Sequence, residues 1–278
     1  MLIALLFFVG GLIALTLSAD RFVLSAARLS RALGLSPILV GALVIGLGTS
    51  APEMLVSGLA AGRGEIDIAI GNVVGSNTAN LSLVLGATAL VSTIVSRAST
   101  IVRDGAQMLA AMSAATLLLW NLELTRIEAG GLMLAMVGAA YMLVRWARRE
   151  PDAIPQPDDE EVRLGVEWAW GLGALTLTLL GAEFLVRGAS RMAVELGITS
   201  AFVGLVIVSI GTSLPELATA LAAARRNETD LVLGNLVGSN LFNTLAVLGL
   251  AGLVGPGTLD GEFQGAMLYM LVVGAAAG

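Results

Sequence analysis

The sequence contains the same motif twice, and this duplication constrains the fold more than any other feature. The hexapeptide GTSAPE at 48–53 recurs as GTSLPE at 211–216, a shift of 163 residues. The same shift, without a gap, aligns 71–86 with 234–249, and ten of these sixteen positions are identical. The chain is therefore predicted to consist of two homologous halves that fold alike.

Composition indicates where these halves fold. Apolar residues make up 56% of the 278 residues, charged residues only 13%, and the mean hydropathy is +0.89, whereas soluble domains carry about 25% charged residues. A membrane-spanning helix needs about 20 mainly apolar residues. We predict an all-α integral membrane protein with nine visible spans. They run over 2–31, 36–61, 66–95, 102–122, 129–146, 165–196, 199–224, 230–254 and 262–277.

The repeat and the spans together predict an inverted topology. The first repeat, 1–146, contains five helices, and an acidic, proline-containing linker follows at 147–164. Because five is an odd number, the second repeat, 165–278, enters the membrane from the opposite side. Inverted repeats are typical of secondary transporters with a site near mid-membrane. Residue 278 corresponds to residue 115, so we expect the second repeat to be C-terminally truncated, with its tenth helix missing or lost.

The first apolar segment belongs to the repeat, which argues against a cleaved signal peptide. The shift pairs Asp20 with Glu183 inside the first and sixth spans. Arg21 and Arg187 lie near these acids in sequence, and we expect ion pairs between them.

The distribution of arginine predicts the orientation, because positive residues accumulate on the cytoplasmic side. One predicted face carries Arg28, Arg31, Arg97, Arg103, Arg145, Arg148, Arg149, Arg163, Arg225 and Arg226, and the other carries Arg63, Arg126, Arg187 and Arg191. We predict a multi-pass protein of the inner (plasma) membrane, with its N-terminus outside and the 147–164 linker in the cytoplasm.

Missing residue types exclude several kinds of chemistry. The sequence has no cysteine, no histidine and no lysine. This excludes thiolate nucleophiles, zinc–histidine sites and Schiff-base lysines. We therefore expect no enzyme, no catalytic residue and no cofactor, and we expect neither a nucleic-acid partner nor an obligate protein partner. The expected partners are cation substrates and the lipid bilayer.

Glu53 and Glu216 are the most informative side chains. Both lie within otherwise apolar spans, at equivalent positions of the repeat. An ionisable residue inside a membrane helix is functional by default, because burying its charge is costly. Two such residues in an inverted pair indicate a shared site rather than two structural carboxylates.

The residues before each glutamate predict a broken helix. Pro52 and Pro215 lack an N–H for the carbonyls of Gly48 and Gly211, so each helix should open there and expose carbonyl oxygens. The carbonyl end of a half-helix attracts cations. Hydroxyl oxygens are added at Thr49, Ser50, Thr212 and Ser213.

The third and eighth spans carry a matching polar face. Asn72, Ser76, Asn77 and Asn80 recur as Asn235, Ser239, Asn240 and Asn243, at spacings that keep them close to one helical face. We predict that Ser76, Asn80, Ser239 and Asn243 supply site oxygens. The other four asparagines are expected to form hydrogen bonds between helices.

A site built from oxygen ligands with two carboxylates suits hard cations. Calcium takes six to eight oxygens in irregular geometry, and sodium accepts the same carbonyls and hydroxyls. Two carboxylates can be neutralised by one divalent ion, by two monovalent ions or by protons. Competition for one negative charge is a direct route to antiport.

The paired motifs, each followed by Gly-Asn-X-X-Gly-Ser-Asn, resemble the calcium/cation antiporter superfamily, and most closely its prokaryotic sodium/calcium exchangers. The resemblance implies ten helices in two inverted repeats and alternating access by sliding of the first and sixth helices. It also implies Glu53 and Glu216 as shared ligands of calcium and sodium. The further implied ligands are Thr49 and Thr212, then Ser50, Ser213, Ser76 and Ser239 at sodium positions, and the carbonyls of Gly46 and Ser209.

One position departs from a common family pattern. The position of Asn243 is often aspartate in the family, facing the equivalent of Asn80, whereas both are asparagine here. The site should therefore carry two formal negative charges rather than three. This departure affects the sodium number and the voltage dependence of transport.

The leading hypothesis is a sodium/calcium antiporter that binds transported Ca²⁺ and Na⁺. A calcium/proton antiporter is the alternative, because protons suit carboxylates equally well. A cation channel is a less favoured alternative, because a channel needs a continuous polar pore. A scaffold or sensor would not need duplicated ligand oxygens.

Overall fold

The computed structural model describes residues 1–95, 98–148, 162–197 and 209–277. Their α-helices are α1 (Leu2–Ala32), α2 (Pro37–Val40), α3 (Leu47–Thr49), α4 (Ala51–Gly62), α5 (Ile66–Ala79), α6 (Leu85–Val91), α7 (Ala98–Leu118), α8 (Arg126–Ala147), α9 (Leu164–Glu195), α10 (Ser209–Thr212), α11 (Leu214–Arg225), α12 (Thr229–Leu241), α13 (Leu248–Val254) and α14 (Glu262–Ala277). π-helical segments at Gly41–Gly46, Asn80–Val84 and Phe242–Val247 and a 3₁₀ turn at Leu119–Asn121 join some of them. Strands β1 (Glu123–Leu124) and β2 (Gly257–Thr258) pair antiparallel.

The described helices form an all-α membrane protein, as predicted. Five continuous helical segments are long and apolar enough to cross a membrane, and two of them, Ile66–Val91 and Thr229–Val254, include a π-helical segment. Pro37–Thr49 with Ala51–Gly62 forms a broken span bent by 44°. The described helices follow eight of the nine predicted spans and the C-terminal part of the seventh, 199–224, of which 199–208 lies outside the described residues. The division into two five-helix repeats stays a prediction, and most of the 147–164 linker also lies outside the description.

Side chains on the outside of the bundle are apolar. Leu90 is 91% exposed and Ile127 is 89% exposed, and many large apolar residues of α1, α8 and α9 are also exposed. In water such a surface would aggregate, whereas in a bilayer these side chains contact lipid. The chain therefore places its apolar residues both in the core and on the lipid-facing surface.

Helices α1 and α9 form a close antiparallel pair. The Met1 amino group contacts Glu195 at one end, and Arg28 contacts Glu167 near the other. Glycine allows the two backbones to touch, because a Cβ at Gly181 would lie 2.6 Å from the backbone nitrogen of Leu15. Small residues drive helix association of this kind in membranes.

The first broken helix packs equally closely against α12. A Cβ at Gly46 would lie 2.9 Å from the backbone nitrogen of Ser239, and one at Gly41 would lie 2.7 Å from the carbonyl oxygen of Leu231. A Cβ at Gly238 would collide with the backbone of Ala42. This glycine-lined contact holds the helix of the GTSAPE motif against α12, which carries Asn235, Ser239 and Asn240.

Candidate functional site

Each motif lies at an interruption of a helix. Ser50 separates α3 from α4 with φ −79° and ψ 7°, and Ser213 precedes α11 with φ −89° and ψ 5°. The predicted break is therefore present in both halves. It falls at the serine because Pro52 and Pro215 lie in the first turn of the following helix, where a missing N–H leaves no bond unmade.

Glu53 and Glu216 lie in the first turn of α4 and α11. Both residues are only 1% exposed. The N-terminal end of a helix carries a partial positive charge that stabilises a nearby carboxylate. The sequence prediction emphasised the carbonyl ends of the half-helices, whereas the structure also places each carboxylate at a favourable amino end.

The two motifs meet through their side chains. The Ser50 hydroxyl donates to Glu216 Oε1 at 3.1 Å, and the Ser213 hydroxyl donates to Glu53 Oε1 at 3.5 Å. The Ser76 hydroxyl donates to the same Glu53 oxygen at 3.5 Å. Each carboxylate is therefore bonded to the broken helix of the other half of the chain, and the two interruptions form one polar centre.

Several buried polar atoms lack a hydrogen-bond partner among the described residues, both in the motifs and in the helical segments that pack against α4 and α11. They include Oε2 of both Glu53 and Glu216, and both amide atoms of Asn80 and Asn243. The two asparagines are 1% and 0% exposed. A buried polar atom without a partner costs about 1–3 kcal/mol. Carboxylate and amide oxygens of this kind are ligands for a hard cation.

A second layer of amides holds the backbone at both glutamates. Asn72 Nδ2 donates to the Glu53 carbonyl oxygen at 3.3 Å, and Asn235 Nδ2 donates to the Glu216 carbonyl oxygen at 3.4 Å. The interactions are equivalent in the two halves. The prediction that these asparagines bond between helices agrees with this geometry, and their effect is to position the carboxylates.

Two hydroxyl groups that support this layer were missed by the sequence analysis. Ser57 accepts a hydrogen bond from Asn72 at 3.0 Å, and Thr219 accepts one from Asn235 at 3.3 Å. The 163-residue shift pairs Ser57 with Ala220 rather than with Thr219. Comparison of the repeats therefore carries no signal for either residue.

The remaining predicted hydroxyls bond to the second layer. Ser239 donates to Asn235 Oδ1 at 3.4 Å, and Thr212 donates to Asn72 Oδ1 at 3.4 Å. The Thr49 hydroxyl donates to the Ile45 carbonyl oxygen at 3.0 Å and lies 3.5 Å from Asn235 Oδ1. A hydroxyl that donates its hydrogen still has acceptor lone pairs. These three oxygens therefore remain able to face a cation.

The two predicted backbone ligands differ in how far the structure describes them. The Gly46 carbonyl accepts the Ser50 N–H at 3.1 Å, and the Thr49 hydroxyl oxygen lies 3.4 Å away, so one lone pair of the Gly46 oxygen remains available. Ser209 begins α10. It lies at the edge of the described residues.

Asn80 and Asn243 lie in π-helical turns. Asn80 begins the segment Asn80–Val84, and Asn243 lies in Phe242–Val247. Such turns recur at functional sites because they widen the helix locally. The sequence analysis did not predict them, since neither segment contains proline or glycine to mark an irregular turn.

The remaining asparagines bond elsewhere. Asn77 Nδ2 donates to the Thr244 hydroxyl at 2.8 Å, and Asn240 Nδ2 donates to the Leu236 carbonyl oxygen at 2.7 Å. Asn77 therefore links two helices, as expected. Asn240 differs from the expectation because it bonds within its own helix.

The acids of the first and sixth spans form ion pairs, with one predicted partner wrong. Glu183 contacts Arg187 at 2.5 Å, as expected. Asp20 instead contacts Arg226 at 2.6 Å, and Arg21 contacts Glu167. Neighbours in a helical sequence point in different directions, so Arg21 faces α9 while Asp20 faces the end of α11.

Comparisons with known proteins agree with this architecture. Residues 3–145 and 166–277 match the family model described as sodium/calcium exchanger protein. CaxA of Alkalimonas amylolytica is 38% identical over 287 residues, which cover 100% of this chain and 89% of that protein. The inner membrane protein YrbG of Escherichia coli is 34% identical over 270 residues, covering 94% and 82% of the two chains.

A solved structure of the sodium-calcium exchanger NCX_Mj has a TM-score of 0.87 and 29% sequence identity to this chain. The match covers 98% of this chain and 88% of that chain. The sequence resemblance to calcium/cation antiporters is thereby confirmed. The chain belongs to the sodium/calcium exchanger protein family, a family of transporters, and is a multi-pass membrane cation antiporter.

Proposed function

We propose that this protein exchanges calcium for sodium across the membrane, with Glu53 and Glu216 as the shared cation ligands. The proposal rests on one observation. The two buried carboxylates each bond to a serine of the opposite broken helix and each keep one oxygen, Oε2, without a partner among the described residues. A cation between the half-helices would satisfy both oxygens.

The surrounding oxygens suit the coordination of calcium and sodium. Calcium takes six to eight oxygen ligands and tolerates irregular geometry. Besides the two carboxylates, the proposed set comprises the hydroxyls of Thr49, Ser50, Ser76, Thr212, Ser213 and Ser239, the amide oxygens of Asn80 and Asn243, and the carbonyls of Gly46 and Ser209. NCX_Mj, a sodium-calcium exchanger solved after soaking with Na⁺ and Ca²⁺, is similar over nearly the whole chain.

Exchange follows from competition at one charged centre. Because calcium and sodium need the same carboxylate oxygens, binding of one excludes the other, and each ion drives the other across. For the conformational step we propose that α1 and α9 move as one body against the remaining helices. Their backbones touch at Gly181, and the Glu167 carboxylate bonds to Arg21 and Arg28 across the pair.

We also propose a location and an orientation. YrbG, a relative at 34% identity, is an inner membrane protein, and the same membrane is proposed here. The arginine distribution favours an external N-terminus and a cytoplasmic 147–164 linker.

Flux measurements in proteoliposomes test the proposal. Purified protein is reconstituted, and radioactive calcium uptake is followed with a sodium, a potassium or a proton gradient imposed separately. We expect uptake with the outward sodium gradient alone. Uptake driven only by the proton gradient would overturn sodium coupling and support calcium/proton exchange, and channel current would overturn antiport. Arg187→Gln, at an exposed ion pair, is a matched control variant.

A further inference from the structure

Two ion pairs join α1 to the turn between α11 and α12. Arg226, the residue that follows α11, donates to both carboxylate oxygens of Asp20, at 2.8 Å through Nε and at 2.6 Å through Nη2. Arg31, near the end of α1, contacts Glu228 at 2.9 Å. Partly exposed ion pairs stabilise a structure when the contact is bidentate or when several charges lie together. Both conditions are met here, so this end of α1 is held against the helices that carry the site.

The repeat places equivalent charges towards the opposite end of the α1–α9 pair, where they are apart. The 163-residue shift pairs Asp20 with Glu183 and Arg226 with Arg63. Glu183 contacts Arg187 of its own helix. Arg63 is an exposed residue at the end of α4 and forms no ion pair within the described ranges. The same two charges are therefore joined in one half of the chain and separated in the other.

Helix packing shows the same asymmetry. α1 packs along α11, whereas the equivalent contact, between α9 and α4, has no comparable extent in the part of the chain that the structure describes. An α1–α9 pair in a symmetric position between two equivalent halves would make both contacts. The pair is therefore displaced towards the half that ends at Arg226.

We propose that the two charge pairs form alternately as the transporter changes state. Asp20–Arg226 closes the face proposed to be cytoplasmic in the present state, and Glu183–Arg63 closes the opposite face in the other state. The inference rests on the movement of α1 and α9 as one body, which is part of the proposed function. Because the halves are equivalent in the repeat, a contact that one half makes in one state is available to the other half after the movement.

Replacing one ion pair by its equivalent keeps the two states close in free energy. Separation of Asp20 from Arg226 is offset when Glu183 reaches Arg63. Arg187 competes little for Glu183, because solvent screens a pair whose side chains are 62% and 53% exposed. An equilibrium between two states shifts only through interactions that differ between them. Loss of one pair should therefore favour the state that contains the other pair.

Reversible cross-linking tests the inference, because the chain contains no cysteine of its own. Asp20→Cys with Arg226→Cys, and Arg63→Cys with Glu183→Cys, are treated in proteoliposomes with a bifunctional methanethiosulfonate. We expect both pairs to cross-link, each cross-link to stop sodium-driven calcium uptake, and a reducing agent to restore uptake. Absence of the 63–183 cross-link under every ion gradient would overturn the inference. Undiminished uptake with 20–226 cross-linked would also overturn it.

A cross-link inside the moving body is the matched control. The rings of Phe7 and Phe184, on α1 and α9, lie 5.4 Å apart. Phe7→Cys with Phe184→Cys, treated with the same reagent, should leave calcium uptake unchanged because the two helices move together. Loss of uptake in this variant would contradict movement as one body.

Neutralising one ion pair tests its effect on the equilibrium. In protein carrying Arg63→Cys and Glu183→Cys, Asp20→Asn should raise the rate of 63–183 cross-linking about two- to fivefold, the effect of losing one partly exposed pair. Asp20→Arg combined with Arg226→Asp should return the rate to its original value, because the ion pair is restored with its charges exchanged. An unchanged rate in Asp20→Asn would overturn the inference, as would failure of the exchanged pair to restore the rate.

These measurements separate failure of the inference from failure of the proposed function. If sodium drives no calcium uptake in the unmodified protein, the proposed function is wrong, and the cross-linking rates still show whether the two ion pairs alternate. If uptake is sodium-driven but the rates do not respond to Asp20→Asn, only the inference is wrong.

Discussion

Two regions of this protein bury glutamate inside the helical bundle, and they treat the carboxylate in opposite ways. In the α1–α9 pair, Glu167 accepts hydrogen bonds from Arg21 and Arg28 at 2.9 and 2.8 Å and from Ser25 at 2.9 Å. Both of its oxygens are used. At the centre, the donors to Glu53 and Glu216 among the described residues are hydroxyl groups, and they bond to one oxygen of each carboxylate.

The difference teaches that the partners of a buried carboxylate, rather than its burial, indicate its role. Arginine partners neutralise Glu167 and make it a structural link between two helices. The central pair has no such compensation among the described residues, so its charge remains available to a mobile cation. The repeat shows the same contrast, because the shift pairs Glu53 with Glu216 but pairs Glu167 with Ala4.

The largest expected effect comes from neutralising the central pair. Glu53→Gln or Glu216→Gln should abolish sodium-driven calcium uptake, because each removes half of the charge that holds the cation. Folding should be retained, since glutamine is nearly isosteric and removes a costly buried charge. Proteoliposome flux and thermal unfolding in detergent measure both effects. Uptake at the normal rate in either variant would contradict the site.

The opposite result, a loss of stability without a loss of exchange, is expected for Glu167. Glu167→Gln should leave sodium-driven exchange in the folded protein but lower the free energy of unfolding by about 2 kcal/mol, because it weakens charge-assisted hydrogen bonds to Arg21 and Arg28. Thermal unfolding and flux per folded molecule are measured together. Loss of calcium binding without loss of stability would remove the distinction between the two regions.

A smaller effect is expected at the serines that join the two motifs. Ser50→Ala should raise the calcium concentration for half-maximal uptake by up to about tenfold, the equivalent of about one hydrogen bond. Ser213→Ala should have a weaker effect, because its contact is 3.5 Å rather than 3.1 Å. Concentration dependence of uptake measures both. A larger effect of Ser213→Ala than of Ser50→Ala would show that the hydrogen-bond distance does not determine the effect on uptake.

The smallest effect is expected at an exposed ion pair. Glu183 and Arg187 form an i,i+4 contact with side chains 53% and 62% exposed. Arg187→Gln should change the free energy of unfolding by no more than about 0.5 kcal/mol, since solvent screens such pairs, and exchange should be unchanged. Thermal unfolding tests this value. A large loss of stability would mean that the exposed Glu183–Arg187 pair also stabilises α9.

Much of the site was predictable because its signals lie along the chain. The hexapeptide repeat identified Glu53, Glu216 and the flanking hydroxyls, and proline with glycine marked the interrupted helices. Ser57 and Thr219 were missed because they are not equivalent in the repeat. The partner of Asp20 was wrong because Arg226 is distant in sequence and approaches only when the helices pack.

By itself, the sequence determined the membrane class, the helical spans and the pair of buried glutamates. These depend on apolar length and on a duplicated motif, which are properties of the chain as written. Only the tertiary structure decided that Ser50 contacts Glu216, that Asn80 and Asn243 lie in π-helical turns, and that arginines neutralise Glu167. Those features arise when helices more than a hundred residues apart pack together, and their geometry depends on which side chains then face each other.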